Sequence, residues 1–142
     1  KAEDYAVFHP GGSLGRRLLT KVQDVMRKDN LPCVSKEMTL GNVIIAISDA
    51  RLGIAAIVED GKLIGVITDG DVRRAMTKYK ENFFNIQAQE IMTRTPKTIL
   101  PTERIVVAEE MMRKNKIHSI IVVDEENHVV GIVEFFNVSI MG

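Results

Sequence analysis

Tryptophan is absent from this chain and cysteine occurs once, as Cys33. A single cysteine excludes a disulfide framework and a thiolate metal centre, and it fits a reducing, cytoplasmic setting. No apolar run approaches the ~18 residues that span a bilayer, so no membrane partner is expected, and no signal peptide is visible. Net charge is lacking too: 19 basic residues balance 19 acidic ones. That balance argues against nucleic acid as a main partner, because phosphate binding needs a basic excess on some face. The densest basic cluster, Arg16, Arg17 and Lys21 after "GGSLG", reads as an exposed helix face. His9, His118 and His128 show no metal-ligand spacing, so no metal is expected.

What is present is an ordinary globular balance, 45% hydrophobic and 27% charged, over 142 residues. A chain of this size makes one domain or two small ones and buries roughly two-thirds of its unfolded surface. It opens at Lys1 without methionine, and "KAEDYAVFHPGG" has no core of its own, so it is expected to be the C-terminal piece of something longer.

The main organising feature is an internal repeat. One copy opens at "VQDVMRKD" (22–29) and the other at "AQEIMTRT" (88–95), with Met26 and Met92, and Gly65 and Gly131, each 66 positions apart. Between those points the helices and strands match better at an offset of 65. Each copy reads as short strand, helix, strand, strand, helix. Leu40, Val43, Ile44 and Ile47 recur at helical spacing, with Thr39 as N-cap and Gly53 as terminator. "IAAIV" (54–58) and "LIGVI" (63–67) are short strands joined through Asp60-Gly61, a tight hairpin signal. The second copy offers Ile105, Ala108, Met111 and Met112 for its helix, then "SIIVV" (119–123) and "HVVGIV" (128–133) around a turn from Asp124 to Asn127. Residues 77–87 are expected to connect the copies.

The fold class is therefore α/β: tandem repeats, each a short three-stranded sheet with two helices. Alone, each copy has too little core, so the two are expected to pair about a pseudo-twofold axis with two related clefts between them.

The copies differ where chemistry would sit. "GVITDGDVRR" (65–74) carries Thr68, Asp69 and Asp71 at the opening of a helix, whereas "GIVEFFNVSI" (131–140) has Glu134 and Asn137 in the places of Thr68 and Asp71. A helix N-terminus offers free N–H groups and the positive end of a dipole, which favour an anion such as phosphate. Thr68 or Asp69 would serve equally well as a simple helix cap. Glu134 would repel a phosphate, and Phe135-Phe136 reads as core or interface, so the second cleft is expected to be the poorer anion site.

The stretches "DVM" (24–26), "IAAIVEDGKLIGVITDGDV" (54–72), "EIM" (90–92) and "HSIIVVDEENHVVGIV" (118–133) resemble a CBS-domain pair, the Bateman module, over about residues 20–141. "FHPGGSLGRRLL" (8–19) before such a pair resembles the junction in bacterial arabinose-5-phosphate isomerases, where a sugar isomerase (SIS) domain precedes the CBS pair. The resemblance implies three parts: 1–19 as the tail of the SIS domain and linker, 20–77 as the first CBS domain, and 78–142 as connector and second CBS domain. It also implies that this chain is non-catalytic. Its parent would interconvert ribulose 5-phosphate and arabinose 5-phosphate toward Kdo, for lipopolysaccharide or capsule.

Within that family pattern Thr68 contacts a phosphate and Asp71 accepts from ribose hydroxyls. Two other places line the same cleft: the first strand, Pro32, Cys33 and Val34, with Lys97, Thr98 and Ile99 in the echo; and the helix-to-strand step, Gly53 and Ile54, with His118 and Ser119 in the echo. Arg73 and Arg74 reach an acidic ligand or a neighbouring subunit, or else are solvated helix arginines. Asn137 is a secondary hydroxyl partner. Cys33 reads as a small hydrophobe near the cleft, His118 as a cleft or rim residue and His128 as an exposed strand start. His9, in "HPGG", is implicated in proton transfer only within a complete isomerase. The implied role is effector binding and oligomer assembly, as a dimer of CBS pairs within a tetramer. CMP-Kdo is the expected effector and an adenine nucleotide the runner-up. Competing readings are a purely structural assembly module and an adenine-nucleotide sensor from another parent.

Overall fold

Asp60 and Gly61 adopt φ of 54° and 79°, the left-handed pair that a two-residue hairpin turn requires. They join β2 (Ile54–Glu59) to β3 (Lys62–Thr68) in antiparallel register, with Ile54 opposite Thr68 and Glu59 opposite Lys62. The register shifts between Ile57 and Val58, which pair with Gly65 and Leu63, so Ile64 is an extra residue bulged next to Gly65. β1 (Cys33–Val34) adds to β2 in parallel, giving a three-stranded sheet of order β1-β2-β3. The computed structural model describes residue 15 and residues 18–135.

The helices follow the apolar spacing. α1 is Val22–Val25, α2 Leu40–Ala50, α3 Asp69–Tyr79, α4 Ala88–Ile91 and α5 Ile105–Asn115. Leu40, Val43 and Ile47 of α2 are buried against the first sheet's Ala55, Ile57 and Ile67. Thr39 is the N-cap of α2 without a side-chain bond, and the helix ends at Arg51, which takes the left-handed conformation at φ 60°. Gly53 is therefore not the terminator; it takes a second positive φ, 69°, between the helix end and β2. Lys116 caps α5 in the same way, 65 residues on.

β4 (Thr98–Ile99), β5 (Ser119–Val123) and β6 (Val129–Glu134) form the second sheet, in that order. The sequence pattern thus located both sheets and the helices α2, α3 and α5, while the second copy's expected closing helix lies beyond Phe135, outside the described residues. The expected connector is more than a linker. Residues 77–79 finish α3, a 3-10 helix follows over Lys80–Asn85, and Phe83 and Ile86 are buried in the first sheet's core. Their apolar side chains draw the segment inward.

Two compact units result. The first holds Asp29–Lys97 and Glu125–Val129; the second holds the described residues up to Lys28, then Thr98–Asp124 and the stretch from Val130. The short helix that opens each sequence repeat therefore packs against the other repeat's hairpin. In the first unit Met92, just after α4, places its sulfur 2.6 Å from where a Cβ on Gly65 would stand, and Val66 and Thr93 exchange backbone bonds of 3.0 and 2.9 Å. In the second unit Met26, just after α1, does the same to Gly131 at 2.6 Å, and Arg27 and Ile132 exchange bonds of 2.8 and 3.0 Å. Only glycine admits this approach.

Each glycine should thus be intolerant of a single methyl group. Gly65→Ala and Gly131→Ala are expected to lower unfolding free energy by about 1–3 kcal/mol in urea titrations, the usual range for overpacking a filled core. Met92→Ala should be less damaging in the Gly65→Ala background than in the wild type, because the two changes share one contact.

Candidate functional site

β3 delivers Thr68 to the start of α3, where the backbone changes from extended to helical and the first N–H groups lack helical partners. Thr68 and Asp71 solve this reciprocally. The Thr68 hydroxyl accepts from the Asp71 N–H at 3.2 Å, and Asp71 Oδ2 accepts from the Thr68 N–H at 2.9 Å. This is a capping box with aspartate as its acid. The other carboxylate oxygen, Oδ1, pairs with Arg74 Nη2 at 2.6 Å. The helix-cap reading of Thr68 is thus realised, and Asp69 fills the first helical position.

Asp69 is tied elsewhere. Its N–H donates to the Gly53 carbonyl at 3.1 Å, and its carboxylate Oδ2 lies 3.3 Å from where a Cβ on Gly53 would stand. Gly53, Ile54, Thr68, Asp69, Asp71 and Arg74 therefore converge at one end of the first hairpin, Ile54 being buried directly across from Thr68. Arg73 is exposed on the same helix, and its carbonyl accepts from the Thr77 hydroxyl at 3.3 Å.

β1 lies beside this end, two residues into β2: Cys33 pairs with Ala56 and Val34 with Ile57, and the Pro32 carbonyl accepts from the Ala56 N–H at 2.8 Å. Pro32 and Val34 are buried, and Cys33 is exposed. The cause is strand alternation: a two-residue edge strand turns Val34 into the core and Cys33 out. Protein packed around the thiol still pushes its pKa above the ordinary value. Nearby, Lys36 Nζ pairs with Glu59 Oε2 at 2.7 Å, and this hydrogen bond, with the carboxylate's charge, raises the lysine's pKa.

A cavity of about 390 Å³ opens in the first unit on another face of α3's first turn. Ile44, Ile47 and Arg51 from α2 and its cap line it with Gly53, Asp69 and Val72. Of the expected site residues it takes Gly53 and Asp69 but neither Thr68 nor Asp71. Arg51 went unremarked in the sequence; the signal was its place after the α2 stripe and two positions before Gly53.

The echo reproduces the backbone and not the chemistry. The Phe135 N–H donates to the His118 carbonyl at 2.8 Å, the counterpart of the bond from Asp69 to Gly53. Glu134, the last residue of β6, stands where Thr68 stands, half-buried. Phe135 packs on the second core with the Arg113 guanidinium 5.9 Å over its ring, as expected of a core residue. Thr98 pairs in parallel with Ile121 and is half-buried; Ser119 begins β5, and His118 is exposed just before it. His128 is half-buried instead of exposed, because it forms an antiparallel bridge with Lys62 and lies against Gly61. His9 and Asn137 lie outside the described residues. Among the described residues no group of three His, Cys, Asp or Glu side chains could hold a metal ion, and no helix is long and apolar enough to cross a membrane.

Residues 22–78 and 88–138 match the CBS domain family. A probable arabinose 5-phosphate isomerase of Haemophilus influenzae is 47% identical over 132 residues, which make up 93% of this chain and 39% of that protein. The arabinose 5-phosphate isomerase KpsF of Escherichia coli is 41% identical over 135 residues, 94% of this chain and 41% of that protein. The chain spans about two fifths of the length of these relatives. Among solved structures, the CBS domain pair of protein MJ0100, in complex with 5′-methylthioadenosine and S-adenosyl-L-methionine, aligns with a TM-score of 0.76 and 28% identity. That alignment covers 86% of this chain and 94% of that one.

The exposed but proton-retaining thiol has a measurable consequence. The thiolate is the nucleophile, so a raised pKa lowers its population near neutral pH. At pH 8, iodoacetamide should alkylate Cys33 several-fold more slowly in the folded protein than in the urea-unfolded chain. The rate in the folded protein should titrate with a midpoint above that of a free thiol.

Proposed function

The chain belongs to the CBS domain family, and from that premise we propose that it is the regulatory, effector-binding module of an arabinose 5-phosphate isomerase. In this reading the module catalyses nothing itself. It receives a nucleoside-type effector at the Thr68–Asp71 end of the first hairpin and acts on an SIS isomerase domain carried in the same chain. The parent enzyme would serve the Kdo branch of lipopolysaccharide or capsule synthesis in the cytoplasm, and the module would also help assemble a tetramer.

One observation carries the ligand side of the proposal: a hydroxyl and a carboxylate are locked at the N-terminus of an 11-residue helix in the first repeat, where the second repeat's sequence has Glu134 and Asn137. An anion there meets a positive dipole end and the Thr68 hydroxyl, while Asp71 faces vicinal hydroxyls. Gly53 and Ile54 border the same end, and the edge strand Pro32-Cys33-Val34 would present backbone to a base. The MJ0100 pair, which holds adenine nucleosides, supports an adenine nucleoside or nucleotide as effector. CMP-Kdo, a nucleotide-bearing end product, is the pathway alternative. Any regulation then requires that the effector bind two states of the enzyme with different affinity. The isomerase relatives support the parent, at an overlap of about two fifths of their length.

A second reading, assembly without an effector, is favoured by apolar side chains left in water. Ile45 is 57% and Phe84 65% exposed.

Thermal and urea unfolding with AMP, 5′-methylthioadenosine, CMP and CMP-Kdo decides between these readings. A true effector at a hundred times its Kd should add about 2.7 kcal/mol of stability. Thr68→Ala and Asp71→Asn should each weaken it about tenfold or more, the worth of a hydrogen bond involving charge, while Glu134→Ala changes little. No stabilisation by any of the four compounds would leave assembly as the function, and equal losses at Thr68 and Glu134 would refute the asymmetry.

A further inference from the structure

Resting on the nucleotide-binding reading above, we infer that Arg74 decides whether this end of the hairpin prefers a phosphorylated or an unphosphorylated nucleoside. The Arg74 guanidinium folds back along α3 toward the helix N-terminus and lies over Gly70. Its Nη1 and Nη2 are 3.2 and 3.3 Å from where a Cβ on Gly70 would stand. An alanine at position 70 would ask it to give by only a few tenths of an ångström. From there it reaches Asp71 Oδ1 at 2.6 Å.

This is a poor place for a cation on helix grounds alone, because the positive end of the dipole repels it. Packing does not hold it either, since the side chain is 73% exposed. The carboxylate of Asp71 keeps it there. Asp71 is then committed at both oxygens, Oδ2 to the Thr68 N–H and Oδ1 to Arg74. Oδ1 can accept two hydrogen bonds, so a ribose hydroxyl pair drawn to it competes with the guanidinium and displaces it where both approach the same lone pair.

An unphosphorylated nucleoside displaces it and returns nothing. A nucleotide offers the released guanidinium a phosphate beside the Thr68 hydroxyl, where Asp69 and Asp71 would otherwise repel that anion. Arg74 thus moves from Asp71 to the phosphate, freeing one partner for the ribose while binding the other. It is a specificity-determining residue.

Calorimetric titration of AMP and adenosine against wild type, Arg74→Ala and Gly70→Ala tests this. Arg74→Ala should weaken AMP about tenfold or more through loss of a charge-assisted bond, yet bind adenosine about two- to fivefold tighter as Asp71 is released. Gly70→Ala keeps the charge and asks the guanidinium to shift by only a few tenths of an ångström, so both affinities should stay within about twofold of wild type. Equal changes for both ligands in Arg74→Ala, or none, would overturn the inference. A wild type that binds neither compound refutes the adenine-nucleotide reading only. Inorganic phosphate titrated into ¹⁵N-labelled protein then decides: movement of the Arg74 Nε signal together with the Thr68 and Asp71 amides upholds the exchange, and an unmoved Arg74 signal rejects it.

Discussion

The close approach of a methionine to a glycine in the middle of a hairpin strand is the contact on which each unit is built. A side chain at Gly65 or Gly131 would occupy the space of the Met92 or Met26 thioether. Methionine suits the position because its unbranched, polarisable chain fits an irregular gap that a branched residue would overfill. With the sulfur seated, the next residues reach the strand beside the glycine and exchange two backbone hydrogen bonds, Thr93 with Val66 and Arg27 with Ile132. The short helix thereby becomes part of the sheet's edge. Helices of four residues have no stability of their own, so α1 and α4 exist because this contact and their N-terminal caps hold them.

Those caps share one device. The backbone N–H of Lys21, Thr68 and Gln87 donates to the acid three residues on, Asp24, Asp71 and Glu90, at 2.9, 2.9 and 2.7 Å. At α1 and α4 the acid is exposed and serves the helix start alone. At α3 the cap residue is a threonine whose hydroxyl completes the exchange, and the acid also holds an arginine. Groups that secure a helix are thus the groups through which the proposed effector would bond. Removing them tests stability and binding together, so the conservative Asp71→Asn exchange, which can keep one oxygen to accept from the Thr68 N–H while removing the charge and the acceptor that Arg74 uses, is more informative than truncation.

Local chemistry was legible in the sequence because local geometry enforces it. Asp60-Gly61 announces a turn that only positive φ can close, the alternation around it sets the strands, and Thr68 before "DGDV" marks a helix start. β5 follows the apolar run 119–123 without adjustment. What escaped the sequence depends on partners far along the chain or on single side-chain orientations. Nothing near Met26 indicates that it meets Gly131. Arg51 takes the left-handed cap that glycine was expected to supply, since its N–H can still bond Ile47 and the strain of one positive φ is modest beside a closed helix end. Cys33 faces outward because its strand is only two residues long. Phe83 looked like linker sequence, yet its ring is 2% exposed.

The two repeats show which parts of the scaffold chemistry is free to change. The bond from the helix's first N–H back to the helix-to-strand step survives in both, as Asp69 to Gly53 and Phe135 to His118. So does the glycine that receives a methionine. Among the side chains that differ are those at the end of the hairpin. Thr68 has become Glu134, replacing a hydroxyl with a charge that repels phosphate, and Asp69 has become Phe135, which turns into the core under Arg113. A packing residue at the first helical position binds that helix start to its own unit, whereas an aspartate there leaves the corresponding end of the first unit open and polar. The duplicated frame therefore supports one end specialised for polar contact and one for packing, and the division falls within the first turn of a helix.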